Sequence, residues 1–381
     1  MEHLAMTEVK AAFFVRSPGR VNLIGEHTDY NAGFVMPLAL ERGTTFQVQP
    51  RDDQQLIVHA LRFNAHDQAD LANLAAGTHG DWRDYVRGTA QSLLDAGYAL
   101  QGAEINIDGD LPLSGGLSSS ASLEVGLAFS LLYAQGITIA PAELAKIAQR
   151  AEIEYAHVNC GIMDQLAIAA GVAGHATLID CRSLEIEAVP IPAEVAVLVI
   201  DSGVPRTLAG SAYNQRRAEC EQAVAILRQL DPNINDLRDV NSDLLAQAVE
   251  QDRFEEVIYR RARHVVSENE RVHKAAAAFR AGDFGYVGEL MNESHWSLRD
   301  DYEVSGPELD QLTELLRDMP GVWGARLTGA GFGGCCVALV EASHVDAVIV
   351  ALSPAYHAAT GRTCEAFSTK ASALTIEEPR A

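Results

Sequence analysis

The chain has 381 residues, 48% of them hydrophobic and 21% charged, so it is globular rather than disordered, and the usual ~150 residues per domain suggest two domains. Its 52 acidic and 29 basic side chains leave a net charge of −23, and only Lys10, Lys146, Lys274 and Lys370 among the cations are lysines. That balance argues against a nucleic-acid partner, because affinity for a phosphate backbone comes from clustered Lys and Arg.

The N-terminus starts with an acid and has no basic segment ahead of an apolar core, so no secretory signal is expected. The longest apolar stretch, Leu166 to Ile179, is broken by glycines and His175 and is too short to cross a bilayer. The expectation is a cytoplasmic protein with no membrane partner. Six cysteines (160, 181, 220, 335, 336 and 364) show no CxxC pair and no even ladder, which points to free thiols rather than disulfides or structural zinc.

In chain order, the first segment with chemistry is Gly19 to Tyr30 (GRVNLIGEHTDY). Val21, Leu23 and Ile24 anchor it in a core, which leaves Arg20, Glu26, His27 and Asp29 at a fixed edge rather than on a loose tip. Carboxylates beside an imidazole suit a polyol, since each accepts from or donates to neighbouring hydroxyls. A metal site is the alternative, but Glu26-His27-x-Asp29 has no helical i, i+4 face.

Ala103 to Asp108 alternates as a half-buried strand, and Leu123, Leu127 and Leu131 mark a helix running up to Gly136. Between them lies PLSGGLSSSAS, Pro112 to Ser122. Glycines let the backbone approach a polyanion, and the helix start aims unpaired N–H groups and the positive dipole end at it. Helix capping needs one hydroxyl, whereas Ser118, Ser119 and Ser120 stand together behind two glycines. A second helix opens at Pro141 and carries Leu144, Ala148, Ala151 and Tyr155.

In the next motif, CGIMDQ (Cys160 to Gln165), Asp164 is the only ionisable side chain between Gly161 and Gly174. Burial without a partner would be costly, so Asp164 is either paired with a cation or set in a cleft for proton transfer. Glu152 lies about 40° from Ala148 at 100° per residue, at the border of the buried face. Two carboxylates entering one cleft near an anion cradle suit a magnesium-nucleotide phosphotransferase.

Val195 to Ile200 reads as a buried strand, and the domain boundary is expected near 195 to 205. Helices follow at Cys220, Val224 and Leu227, through Ala275 to Ala278, and at Leu309, Leu312 and Leu316 behind Pro307. Two motifs mislead. Asp283-Phe-Gly285 spells DFG, but the other protein-kinase motifs are missing; Gly329 to Gly334 matches GxGxxG, but the β-like run from Cys335 to Val340 follows it, not a helix. No lysine stands in a Walker frame.

These segments resemble the galactokinase family of the GHMP small-molecule kinase superfamily. GRVNLIGEHTDY is similar to the family's sugar signature, PLSGGLSSSAS to its ATP-phosphate loop and LTGAGFGG (Leu327 to Gly334) to its third glycine motif. Further likeness lies in WRDYVRG (82–88), RTLAGSAYNQRRAEC (206–220) and ESHWSLRDDY (293–302), so it runs from about residue 13 to 340. The resemblance implies an α/β (α+β) two-domain GHMP-kinase fold with the active site in the cleft between. Residues 1–198 would form the phosphate-loop domain and 199–381 a ferredoxin-like domain.

It also implies phosphoryl transfer from ATP to the anomeric hydroxyl of galactose, with Mg²⁺ as cofactor, in a monomer. Asp164 would take the proton, with Arg20 beside it. Glu26, His27, Asp29, Tyr213 and Gly161 would meet the sugar, and Ser119 and Glu152 would hold the metal. The triphosphate would lie on Ser114, Gly115, Gly116, Leu117, Ser118, Ser119, Ser120 and Ala121, with Trp82 and Tyr85 walling the adenine. Ser114 and His157 stand where the family often has glycine. Rival expectations are a related kinase for N-acetylgalactosamine or arabinose, or a non-catalytic sensor of galactose and ATP.

Overall fold

A computed structural model describes residues 11–112, 116–205 and 209–378, with 209–211 described by backbone alone. The first half contains β1 (Phe13–Asn22), β2 (Phe34–Val35), β3 (Pro37–Pro50), β4 (Gln55–Ala60), β5 (Ala65–Asp70), α1 (Trp82–Asp95), β6 (Ala103–Gly109), α2 (Ser119–Ala134), α3 (Pro141–Arg150), α4 (Met163–Ala169), β7 (His175–Asp180) and β8 (Ile186–Pro190). The second contains β9 (Val195–Asp201), α5 (Ala209–Leu227), α6 (Ser242–Glu250), α7 (Glu256–Ala281), α8 (Phe284–Asp300), α9 (Pro307–Arg317), β10 (Val322–Leu327), β11 (Cys335–Glu341), α10 (Val345–Thr360), β12 (Glu365–Thr369) and β13 (Thr375–Glu377).

The first half builds a six-stranded sheet in the order β13-β1-β3-β6-β4-β5, antiparallel except at β4 and β6, beside a small β2-β7-β8 sheet. Helices α1, α2 and α3 cover the large sheet over a core that includes Phe46, Ile105, Val125, Leu131 and Leu144. Helix α2 is buried nearly all round, so its leucine stripe is one of several buried faces. The second half forms an antiparallel sheet, β10-β11-β9-β12. Chain order β9, helices, β10, β11, α10, β12 in that spatial order is the ferredoxin-like split βαβ, with α5 to α9 filling the first crossover.

Strand β9 explains why the halves meet firmly. Leu198 and Ile200 face the core of the second half, whereas Val195, Val197 and Val199 join Val21, Leu23, Val272 and Phe279 in a core shared by both halves. A strand buried on both faces is apolar at every position, which is the unbroken run seen in the sequence. A cut after residue 198 falls inside this strand, and β13 carries the chain back to pair with β1.

The misleading motifs find ordinary roles. Asp283 caps α8 by accepting from the Tyr286 N–H at 3.1 Å. Gly329, Gly331, Gly333 and Gly334 all have positive φ and turn β10 into β11, a hairpin loop rather than a strand-to-helix junction.

Candidate active site

Four loop segments converge on a cleft of about 610 Å³ between the halves. β1 delivers Arg20 just after a register shift between Pro18 and Arg20, the kind of bulge that re-aims a side chain. The first turn of α4 delivers Asp164. Arg20 grips Asp164 with two parallel bonds, Nε to Oδ1 at 2.6 Å and Nη2 to Oδ2 at 2.7 Å, while its Nη1 donates to the Gly116 carbonyl at 2.8 Å. Burial opposes the charge on Arg20, but Asp164 outweighs it and raises the guanidinium pKa. Asp164 is thus paired with a cation and also lines the cleft.

Ser118 occupies the N-cap position of α2 with φ 59° yet makes no cap; its hydroxyl donates to Asp164 Oδ2 at 2.5 Å. Ser120 donates to Glu152 Oε1 at 2.8 Å, and Ser119 is exposed on the cleft wall. The hydroxyl beside Glu152 is thus that of Ser120 rather than Ser119, since one step along a helix turns a side chain by about 100°. Leu117 and Ala121 are buried, and the Leu117 carbonyl accepts from the Arg20 N–H at 3.1 Å. Ser114 and Gly115 lie outside the described residues.

Glu152 sits in a π-helical turn, Ala151–Tyr155, that extends α3. The wider turn changes its angle from the regular-helix expectation, and the residue is buried. Gln165 Nε2 donates to its Oε2 at 2.5 Å. Burial first, then the nearby Asp164 charge, push its pKa up. Behind it lies Glu124 of α2, fully buried and raised well above the carboxylate range by burial and then by Glu152. Sequence reasoning missed Glu124, although an acid inside SLEVGLAF carries the same signal that singled out Asp164.

The sugar-signature residues line the same cleft. Glu26 Oε1 accepts from the Gly329 N–H at 2.7 Å and the Thr328 hydroxyl at 3.1 Å, with Arg326 at 3.5 Å, which ties the signature to the hairpin loop of the second half. His27 has φ 63°, a strained conformation for a non-glycine residue, and burial first pushes its pKa down to about 3. Burial, then the Asp164 charge, push Asp29 up to about 7. Gly161 also lines the cleft, and a Cβ built there would collide with the Asp29 carboxylate, so only glycine allows this close approach. The Tyr213 ring lies 5.7 Å from that of His27.

Trp82 and Tyr85 are not among the cleft's lining residues; Trp82 packs on the core beneath α1, and Tyr85 lies near Glu152 and Glu124. His157, in place of the frequent glycine, has φ 59° and lines the cleft.

Residues 2–50 match the galactokinase galactose-binding signature, residues 84–172 the GHMP kinases N terminal domain, and residues 275–358 the GHMP kinases C terminal domain. Galactokinase from Roseiflexus sp. (strain RS-1) is 51% identical over 360 residues, 94% of this chain and 91% of that protein. The chain belongs to the galactokinase family. It is accordingly an ATP-dependent sugar kinase of the GHMP fold. A second relative in the family, galactokinase of Chloroflexus aurantiacus, is 51% identical over 91% of this chain and 88% of its own. The structure of Lactococcus lactis galactokinase complexed with galactose matches with TM-score 0.91 at 37% identity, covering 97% of this chain and 96% of that one. A Methanococcus jannaschii mevalonate kinase, 18% identical with TM-score 0.66 over 94% of this chain and 98% of its own, shares the fold.

Proposed function

We propose that this kinase transfers the γ-phosphoryl group of ATP to the anomeric hydroxyl of galactose, giving α-D-galactose 1-phosphate and ADP. The observation that carries the reading is Asp164, held by Arg20 and Ser118 in the cleft that also exposes Glu26, His27 and Asp29. Asp164 accepts the hydroxyl proton as the sugar oxygen attacks phosphorus. Arg20 fixes the orientation of the Asp164 carboxylate, and through Gly116 it ties the base to the phosphate loop. Glu26, His27, Asp29, Tyr213 and the Gly161 backbone hold the sugar, and residues 114–121 cradle the triphosphate with the N–H groups that open α2. Trp82 and Tyr85 remain our candidates for the adenine side.

Magnesium fits the donor set. Mg²⁺ takes one or two carboxylates and leaves its other positions to phosphate oxygens and water, and Glu152 with a serine hydroxyl of α2 supplies that chemistry. When bound, the ion neutralises charge on the β- and γ-phosphates. Ser119 remains a candidate ligand by its exposure, and Ser120 by its contact with Glu152. We place the enzyme in the cytoplasm, where ATP and Mg²⁺ are plentiful, and as a monomer, because a single chain supplies every residue invoked.

The test is a panel of galactose, N-acetylgalactosamine and arabinose with ATP and Mg²⁺, followed by coupled ADP release and product analysis. Galactose 1-phosphate should dominate. Binding of galactose and ATP without turnover, or preferential turnover of another sugar, overturns the reading.

A further inference from the structure

His27 is the cleft end of a buried row of hydrogen bonds that the phosphoryl-transfer chemistry does not use. Its Nδ1 lies 2.9 Å from the Tyr30 hydroxyl, which lies 2.7 Å from the Tyr302 hydroxyl, which lies 3.1 Å from Cys220 Sγ. Its Nε2 lies 3.3 Å from the Ala330 carbonyl. Tyr302 and Cys220 are essentially inaccessible to solvent, and the Tyr302 ring packs against both His27, at 4.7 Å, and His264, at 4.5 Å.

The row has one consistent direction. A carbonyl oxygen only accepts, so Nε2 carries the hydrogen. Nδ1 then holds a lone pair and accepts from Tyr30, Tyr30 accepts from Tyr302, and Tyr302 accepts from the Cys220 thiol. The opposite direction would set the Nε2 lone pair against the Ala330 oxygen, two acceptors in contact. An imidazolium is disfavoured by burial, by His264 and by the charge of Arg216, which together push the His27 pKa down to about 3.

We propose that the Ala330 carbonyl selects the neutral Nε2–H tautomer of His27 and that Tyr30, Tyr302 and Cys220 are positioning residues that reinforce it by donating toward Nδ1, so that His27 meets the sugar as a hydrogen-bond donor. Its contact to Ala330 is long for an N–H···O bond, so a sugar hydroxyl oxygen in the cleft can take over that donor. His27 and Tyr30 come from the first half of the chain, and Tyr302 and Cys220 from the second, so the row also makes the tautomer depend on how the halves pack. The sugar contact rests on the galactokinase reading, whereas the tautomer does not.

Two measurements test this. In ¹⁵N-histidine NMR of the ligand-free enzyme, with His27 assigned by its loss in His27→Gln, wild type should show an unprotonated Nδ1 and a protonated Nε2. Tyr30→Phe should introduce a population with the proton on Nδ1, and Cys220→Ala a smaller one. An Nδ1–H or doubly protonated His27 in wild type, or an unchanged tautomer in Tyr30→Phe, overturns the proposal. In kinetics, Tyr30→Phe should raise the galactose KM about fivefold, the worth of one hydrogen bond, with kcat and the ATP KM nearly unchanged. Across singly deoxygenated galactoses, one analogue should lose affinity in wild type and lose no more in Tyr30→Phe; equal further losses for every analogue overturn the donor role. If wild type does not phosphorylate galactose, the galactokinase reading fails, and the NMR result still decides the tautomer.

Discussion

Glu268 of α7 is fully buried, and its carboxylate clamps the sugar signature from the other half of the chain. Oε1 accepts from the Gly25 N–H at 2.9 Å, the Glu26 N–H at 3.3 Å and the Ser294 hydroxyl at 2.6 Å, and Oε2 accepts from Arg271 Nε at 2.7 Å. Glu268→Gln keeps the shape but puts an NH₂ where an oxygen stood. Whichever way the amide turns, it faces at least one N–H donor, and Arg271 loses its charge partner. An unsatisfied buried donor costs ~1–3 kcal/mol and a broken buried ion pair ~3–5, so about 3 kcal/mol is expected. The pKa supports the same figure. Burial pushes the carboxyl up, yet Arg271 and the bonds to it win and pull it down to about 2 from 4.5, which at about 1.4 kcal/mol per unit is again about 3 kcal/mol. This stability is present above pH 4.5 and is lost as pH falls toward 2. Urea unfolding at neutral pH and at pH 4 to 3 measures both effects, with steady-state kinetics alongside. The variant should lose about 3 kcal/mol at pH 7, show a flatter acid limb than wild type, and raise the KM for galactose while sparing that for ATP. A loss under about 1 kcal/mol with an unchanged galactose KM would refute the clamp.

Asp164→Asn should cut kcat by ~10²–10⁴ while ATP still binds, as read by nucleotide titration; near-normal turnover removes Asp164 from the role of base. Gly161→Ala should raise the galactose KM by displacing Asp29, and a crystal structure with Asp29 unmoved would contradict the packing argument. His264, which bonds the Glu26 carbonyl at 3.0 Å, is pushed down to about 4 by burial, so the unfolded chain binds a proton that the folded one refuses between about pH 6.5 and 4. The stability advantage of wild type over His264→Gln should therefore shrink by about 1.4 kcal/mol per pH unit as pH falls through that window, and a constant difference would show that His264 protonates freely when folded.

What could be read from the sequence follows from how each residue announces itself. Alternation marked β6 and four-residue spacing marked α2 and α3, because burial of a face imprints a period, whereas β9 and β11 stood out as unbroken apolar runs. Asp164 was legible because an acid in an apolar run needs a partner, but spacing could not name that partner, since Arg20 lies 144 residues away in the chain, and only the family resemblance set the two together. That Ser120 rather than Ser119 bonds Glu152 depends on a helical phase that begins at a left-handed N-cap and on the π turn that carries Glu152, neither of which a regular period describes. Glu268 stands in SENERVH, a segment that reads as a solvated helix face. Only the packing of α7 against residues 25 and 26 shows that the charge is buried.

The net charge of −23 gains meaning from where the cations around the cleft are spent. Arg20 is committed to Asp164, Arg326 approaches Glu26, and Arg271 pairs with Glu268. Each is paired with a carboxylate of the cleft or of the elements that hold it. On the proposed reading, attraction for ATP would come from the N–H groups at the start of α2 and from a bound magnesium ion, which act only within the first turn and at contact distance. A site built this way does not depend on long-range steering by surface charge. An acidic exterior can therefore coexist with a polyanionic substrate, and added salt, which screens exposed charges over about 10 Å, should weaken ATP binding far less than it would in a lysine-lined cleft.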